Sequence, residues 1–231
     1  MTTMHPKNTA RIVGVLMLVS FFLGVFINMF LQGPVVFAKD FLTGISENSN
    51  QVITSTLLGF VNGTVAIVIA VLLVPIFKQH NKSLAYFYLG FSFVSFAMIT
   101  IDNISIYALL GLSQEYVEAG TPDSDYFLTL GAVLFETRWW THYMVLLLSC
   151  LPLFAFYFLL YQSKLIPRFI SIWGLLAVLL MLTELLLTIY GKGISMILML
   201  PLGLAQLFTA AWLLAKGFRT TAFETQSTES A

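Results

Sequence analysis

The sequence predicts an all-α protein: a polytopic membrane helix bundle of six transmembrane helices with both termini in the cytoplasm. Three observations carry this expectation. Hydrophobic residues make up 58% of the 231 residues and charged residues only 10%. The mean hydropathy is +0.90, with 21 Phe, so the chain carries more apolar surface than one small soluble core buries. The apolar residues fall into runs long enough to cross a bilayer, which takes about 20 helical residues.

The runs lie near 10–32, 53–77, 84–110, 130–161, 169–190 and 194–216, within a single membrane domain over 1–231 that ends in a disordered tail at 223–231. The first run follows Lys7 and Arg11 and resembles a signal peptide only superficially. Its length suits a retained helix, and no small-x-small cleavage site follows it. The gap from Gly33 to Gln51 contains an amphipathic patch (Val35, Val36, Phe37, Phe41, Leu42, Ile45) expected to lie along the membrane interface. The second gap is K-Q-H-N-K at 78–82. A third, from Gly111 to Asp125, holds Glu115, Glu118, Asp123 and Asp125 without a Lys or Arg. Q-S-K-L-I-P-R follows at 162–168, with Pro167 suited to a helix start. Gly191-Lys192-Gly193 joins the last two runs tightly.

Orientation follows from the cations, because Lys and Arg are retained on the cytoplasmic side. Lys7, Arg11, Lys78, Lys82, Lys164, Arg168, Lys216 and Arg219 fall on one side, and Lys39 and Lys192 on the other. The formal net charge is zero, and no basic arm is present, which argues against nucleic acid as a partner. The expected partners are the lipid bilayer and a small amphipathic ligand or lipid. Cys150 is the single cysteine, which excludes an intramolecular disulfide. No cofactor and no metal is expected. The chain has no H-E-x-x-H, G-x-S-x-G, Walker A or G-x-G-x-x-G motif, and one histidine among scattered carboxylates is a poor metal set.

F-E-T-R-W-W-T-H-Y at 135–143 puts ionisable groups inside a spanning run. A charge there costs roughly 2.5–3.5 kcal/mol on insertion scales, so such groups tend to face the bundle interior in pairs. Asp102, Arg138, His142 and Glu184 cannot be assigned to loops without breaking a helix, and Glu136 joins them. With a rise of about 1.5 Å per residue, Asp102 falls roughly 12 Å below an outer end near Leu110, Arg138 and His142 about 9 and 15 Å in from Ala132, and Glu184 about 9 Å from Tyr190. Asn62 and Asn28 occupy the same outer half.

Arg138 and His142 are four residues apart and share a helix face, while Glu136, Trp139, Trp140 and Tyr143 form a neighbouring one. Arg138 keeps its proton and needs an anion, with Asp102 the first candidate and Glu184 the second. One Arg among several acids leaves an acid over for a cationic ligand. The expected site is therefore an outward-facing polar intramembrane pocket of Asp102, Glu136, Arg138, Trp139, Trp140, His142, Tyr143, Glu184 and Asn62. It would bind or transport a small amphipathic or cationic molecule or lipid component. Two alternatives stand beside it: a membrane-embedded enzyme using His142 as general base with a carboxylate, and a structural or accessory subunit in which an Asp–Arg bridge only fixes helix packing. A later start to the fourth helix would make Glu136 and Arg138 ordinary headgroup-level residues.

Gly14, Gly24, Gly59, Gly63, Gly90, Gly174 and Gly203 lie within the runs, and G-F-V-N-G at 59–63 has small-xxx-small spacing for close helix approach. Pro75, Pro152 and Pro201 are placed to kink or end helices. A-R-I-V-G at 10–14, W-T-H at 140–142, F-Y-F-L-L-Y-Q-S-K-L-I-P-R-F-I-S-I-W-G-L-L at 156–176 and A-A-W-L-L-A-K-G-F at 210–218 together resemble a widespread bacterial membrane family known as a domain of unknown function. The resemblance covers nearly the whole chain. It implies six helices, bacterial origin and an inner-membrane location, and supplies no activity. Members of the family often carry an acid in the last helix where this chain has Gln206, which places any proton relay through that acid in doubt; Trp140 and His142 match.

Overall fold

A computed structural model describes residues 6–121, 125–193 and 196–219, and all regular structure among them is helical. The tail expected at 223–231, like Asp123, lies outside the described residues. In chain order the helices are α1 (Pro6–Phe26), α2 (Gly33–Val36), α3 (Phe41–Glu47), α4 (Ser49–Phe77), α5 (Lys82–Glu118), α6 (Asp125–Ser163), α7 (Arg168–Ile189) and α8 (Leu200–Ala215). A π-helical turn over Ile27–Gln32 joins α1 to α2, and a 3-10 turn over Met196–Met199 precedes α8. Among the described residues six segments are long and apolar enough to cross a membrane: Pro6–Val36, Ser49–Phe77, Lys82–Glu118, Asp125–Ser163, Arg168–Ile189 and Ile197–Ala215. The protein is a multi-pass membrane protein of helical-bundle class.

The third gap is shorter than the sequence suggests. α5 has 37 residues and α6 has 39, roughly 55–60 Å each at 1.5 Å per residue, against a hydrocarbon core of about 30 Å. The apolar-run criterion stops where polar residues begin, but a helix that leaves the bilayer continues wherever one face stays buried. Leu109, Leu110 and Ser113 supply that face on α5, and the Ser113 hydroxyl donates to the Leu42 carbonyl.

The chain forms two compact units by its internal contacts. The first comprises Met1–Phe21, Val65–Val94 and Leu147–Ala231. Aromatic packing dominates it: the Phe77 ring meets Tyr88 and Phe156 at 5.8 and 6.2 Å between centroids, and Trp173 meets Phe208 at 5.2 Å. Gly14 lets α8 approach, since a Cβ there would lie 3.0 Å from the Ala210 carbonyl oxygen. Gly174 is required by the buried Tyr157, whose ring occupies the space a Cβ would take.

The second unit comprises Phe22–Thr64 and Ser95–Leu146. Val35, Ile45, Val52, Ile106, Leu109 and Leu110 form its core, with Phe41, Ile53 and Leu134 against it. The amphipathic patch is thus divided rather than laid flat on an interface. Val35, Val36, Leu42 and Ile45 are buried while Phe37 is exposed, because two short helices with a turn between them can direct four apolar side chains onto α4 and α5. Of the G-F-V-N-G pair only Gly63 is held close within this unit, under the Phe96 ring, 2.8 Å from a hypothetical Cβ, whereas Gly59 meets Asn103 at an ordinary 3.4 Å.

Candidate functional site

The second unit contains a polar network built on the predicted residues. Asp102 on α5 and Arg138 on α6 form an ion pair, Oδ1 to Nη1 3.1 Å, with side chains 11% and 6% exposed. Arg138 also donates from Nη2 to Gln32 Oε1 at 2.8 Å, and Gln32 Nε2 donates to Ser55 Oγ at 3.1 Å. The π-helical turn explains why Gln32 arrives there. It ends on Gly33, whose N–H donates to the Asn28 carbonyl, and a Cβ on Gly33 would lie 2.7 Å from that oxygen. π-turns are rare and are found disproportionately at functional positions.

Asp102 has two further neighbours. The Thr141 hydroxyl lies 3.1 Å from Asp102 Oδ1 and 3.0 Å from Ser105 Oγ. His142 Nδ1 stands 3.5 Å from Asp102 Oδ2, with the imidazole 30% exposed. The expected face of Arg138 and His142 is present, and Asp102 is the anion that meets it. Arg138 Nε is buried without a hydrogen-bond partner.

The other expected residues are distributed differently. Glu184 belongs to the first unit, where it is buried and accepts a 3.4 Å hydrogen bond from Thr188 Oγ1. Asn62 is half-buried, with Oδ1 lacking a partner and Nδ2 3.5 Å from where a Gly24 Cβ would stand. Trp139 packs in the second unit's aromatic cluster, 5.8 Å from Phe37 edge-on and 5.1 Å from Tyr143. Tyr143 is buried and Trp140 is 40% exposed.

Glu136 departs most from its expected surroundings. Its side chain is exposed, and among the described residues it has no ion pair. It opens onto a groove of about 590 Å³ along α6, bounded by Ala132, Val133, Thr137, Trp140, Thr141 and Met144. It stands two positions before Arg138, and a rotation of about 200° at 3.6 residues per turn puts the two on different sides of the helix. Thr141 belongs to both places: it borders the groove and reaches Asp102.

Sequence reasoning missed Gln32, Ser55, Ser105 and Thr141. Thr141 could have been found three residues after Arg138 on the same helix face. Gln32 could not, because an α-helical continuation of α1 would direct it elsewhere.

The neutral total conceals a division of charge. Nine of the eleven Lys and Arg lie in the first unit's sequence ranges with three acids, and eight of the eleven Asp and Glu lie in the second unit's ranges with two cations. The Arg138–Asp102 pair is neutral by itself, so the second unit's excess is acidic and includes Glu136.

No group of three or more His, Cys, Asp or Glu suited to a metal occurs among the described residues. Neither a curated protein nor a solved structure matches the chain. The family model described as domain of unknown function DUF4386 matches residues 12–217, nearly the whole of the sequence, and the chain belongs to that family.

Proposed function

We propose that this is a bacterial inner-membrane protein with cytoplasmic termini, of binding or transport type, that takes a small amphipathic cation or a lipid component with a cationic head in the α6 groove. The observation that carries the reading is the contrast between two acids. Asp102 is buried and neutralised by Arg138, while Glu136 is exposed in a groove otherwise lined by apolar and hydroxyl side chains. Glu136 is the counter-ion, Val133 and Met144 receive the apolar part of the ligand, and Trp140 offers a ring face to the cationic head. The acidic excess of the second unit raises the local concentration of cations.

Neighbouring residue types support the same assignment: Trp139 and Trp140 beside Glu136 are at home in the interfacial layer, where a carboxylate escapes the insertion cost of the core.

The test is binding of dodecyltrimethylammonium to the full chain in nanodiscs. Glu136→Gln, at an exposed position, is expected to weaken binding about tenfold, equivalent to about 1.4 kcal/mol, and to leave thermal stability unchanged. Equal affinity of wild type and variant overturns the reading.

The enzymatic alternative has one contact in its favour, His142 Nδ1 facing Asp102 Oδ2 at 3.5 Å, which would orient the ring as a general base. It predicts that His142→Gln abolishes a turnover while leaving the ammonium amphiphile bound, whereas the binding reading predicts no turnover to lose.

A further inference from the structure

A second groove, of about 420 Å³, lies in the first unit between the start of α5 and the end of α6. Its size falls within the roughly 300–1,000 Å³ of small-molecule sites. It is lined by the exposed rings of Phe87, Phe154 and Phe158 and by Leu84, with Asn81 and Ser83 as its polar residues. The polar end is held by hydrogen bonds: Asn81 Oδ1 accepts from the Leu84 N–H at 3.0 Å, and Asn81 Nδ2 donates to Gln162 Oε1 at 3.3 Å. That second bond ties the start of α5 to the end of α6. Two exposed lysines lie close by in sequence, Lys82 between Asn81 and Ser83 and Lys164 two residues after Gln162. Neither has an acidic partner among the described residues, and Glu184 is the one carboxylate among the first unit's described residues.

We infer that this groove is a site for an anionic phospholipid, with an acyl chain against Phe87, Phe154 and Phe158 and the phosphate between Lys82 and Lys164. Charge complementarity selects the occupant. An aromatic cleft alone accepts any acyl chain, but two exposed lysines adjacent in sequence to Asn81 and Gln162 favour a headgroup with net negative charge, and basic residues beside spanning helices attract anionic lipid at about 1 kcal/mol each. The site is independent of Glu136 and its groove, so either assignment stands or falls alone.

The experiment is lipid retention by the full chain, purified from vesicles of equal phosphatidylglycerol and phosphatidylcholine and read by mass spectrometry of the intact complex. Wild type is expected to retain phosphatidylglycerol several-fold over phosphatidylcholine. Lys82→Gln with Lys164→Gln, both at exposed positions, brings the ratio towards one while lipid stays bound. Phe154→Ala with Phe158→Ala lowers the retained amount of both lipids. Retention in the supplied ratio by wild type, or unchanged preference in the lysine double variant, overturns the inference.

Discussion

Arg138 Nη1 meets Asp102 Oδ1 at 3.1 Å with both side chains almost wholly buried, and this relationship decides what the nearby charges are free to do. A buried pair gains little net stability over apolar residues of similar volume, whereas removing one partner strands the other charge at a cost of about 3–5 kcal/mol. Arg138→Ala and Asp102→Leu are each expected to lower the thermal midpoint in detergent by several degrees. Arg138→Met combined with Asp102→Leu should recover most of the loss, and single variants that melt like wild type would remove the case for a buried pair.

Gln32 is a test of the π-helical turn. Its Oε1 accepts from Arg138 and its Nε2 donates to Ser55, so Gln32→Leu leaves a guanidinium proton and a hydroxyl oxygen without a partner inside the second unit. Each such loss costs about 1–3 kcal/mol. Gln32→Leu is expected to destabilise wild type clearly but to have a smaller effect in the Arg138→Met, Asp102→Leu background, where the guanidinium is gone. Equal effects in both backgrounds would mean that Gln32 and Arg138 are not coupled.

What the sequence made legible follows from the physics of each element. Hydrocarbon thickness imposes a run length, so six spans could be read directly. The Asp102–Arg138 pairing could be read because a permanent cation in such a helix demands an anion. The ends of α5 and α6 could not, since Gly111–Glu118 is polar enough to resemble a loop yet buries Ser113. Helical phase separated Glu136 from Arg138, since residues two positions apart lie on different sides of a helix, and Glu136 is exposed while Arg138 is buried.

Gly174 lies beneath the ring of Tyr157, and a Cβ there would overlap that ring. Tyr157 is fully buried, so it has no free space into which to retreat. Gly174→Ala is expected to cost about 1–3 kcal/mol through overpacking, detected as a lower thermal midpoint. Combining it with Tyr157→Leu should lessen the penalty of Gly174→Ala measured in that background. If Gly174→Ala is harmless in the wild type, the close approach of α6 and α7 at this point is not as tight as described.

His80 provides a pH-dependent prediction outside the spanning segments. It sits in the turn between α4 and α5, its backbone N–H donating to the Phe77 carbonyl at 3.0 Å and its buried ring Nε2 lacking a hydrogen-bond partner. Burial disfavours the imidazolium and lowers the pKa from the ordinary 6.5. The folded protein therefore binds this proton less readily than the unfolded chain, and stability rises with pH wherever the unfolded state holds more protons. The neutral form is favoured in both states above about pH 7, so His80 causes no pH dependence there; as pH falls below the unfolded value, the unfolded chain takes up the proton first and stability declines. His80→Gln is expected to flatten the dependence of the thermal midpoint on pH between about 7 and 5 relative to wild type, with His142 left in place so that any remaining slope reports other groups. An unchanged slope in the variant would show that protonation of His80 is not linked to folding.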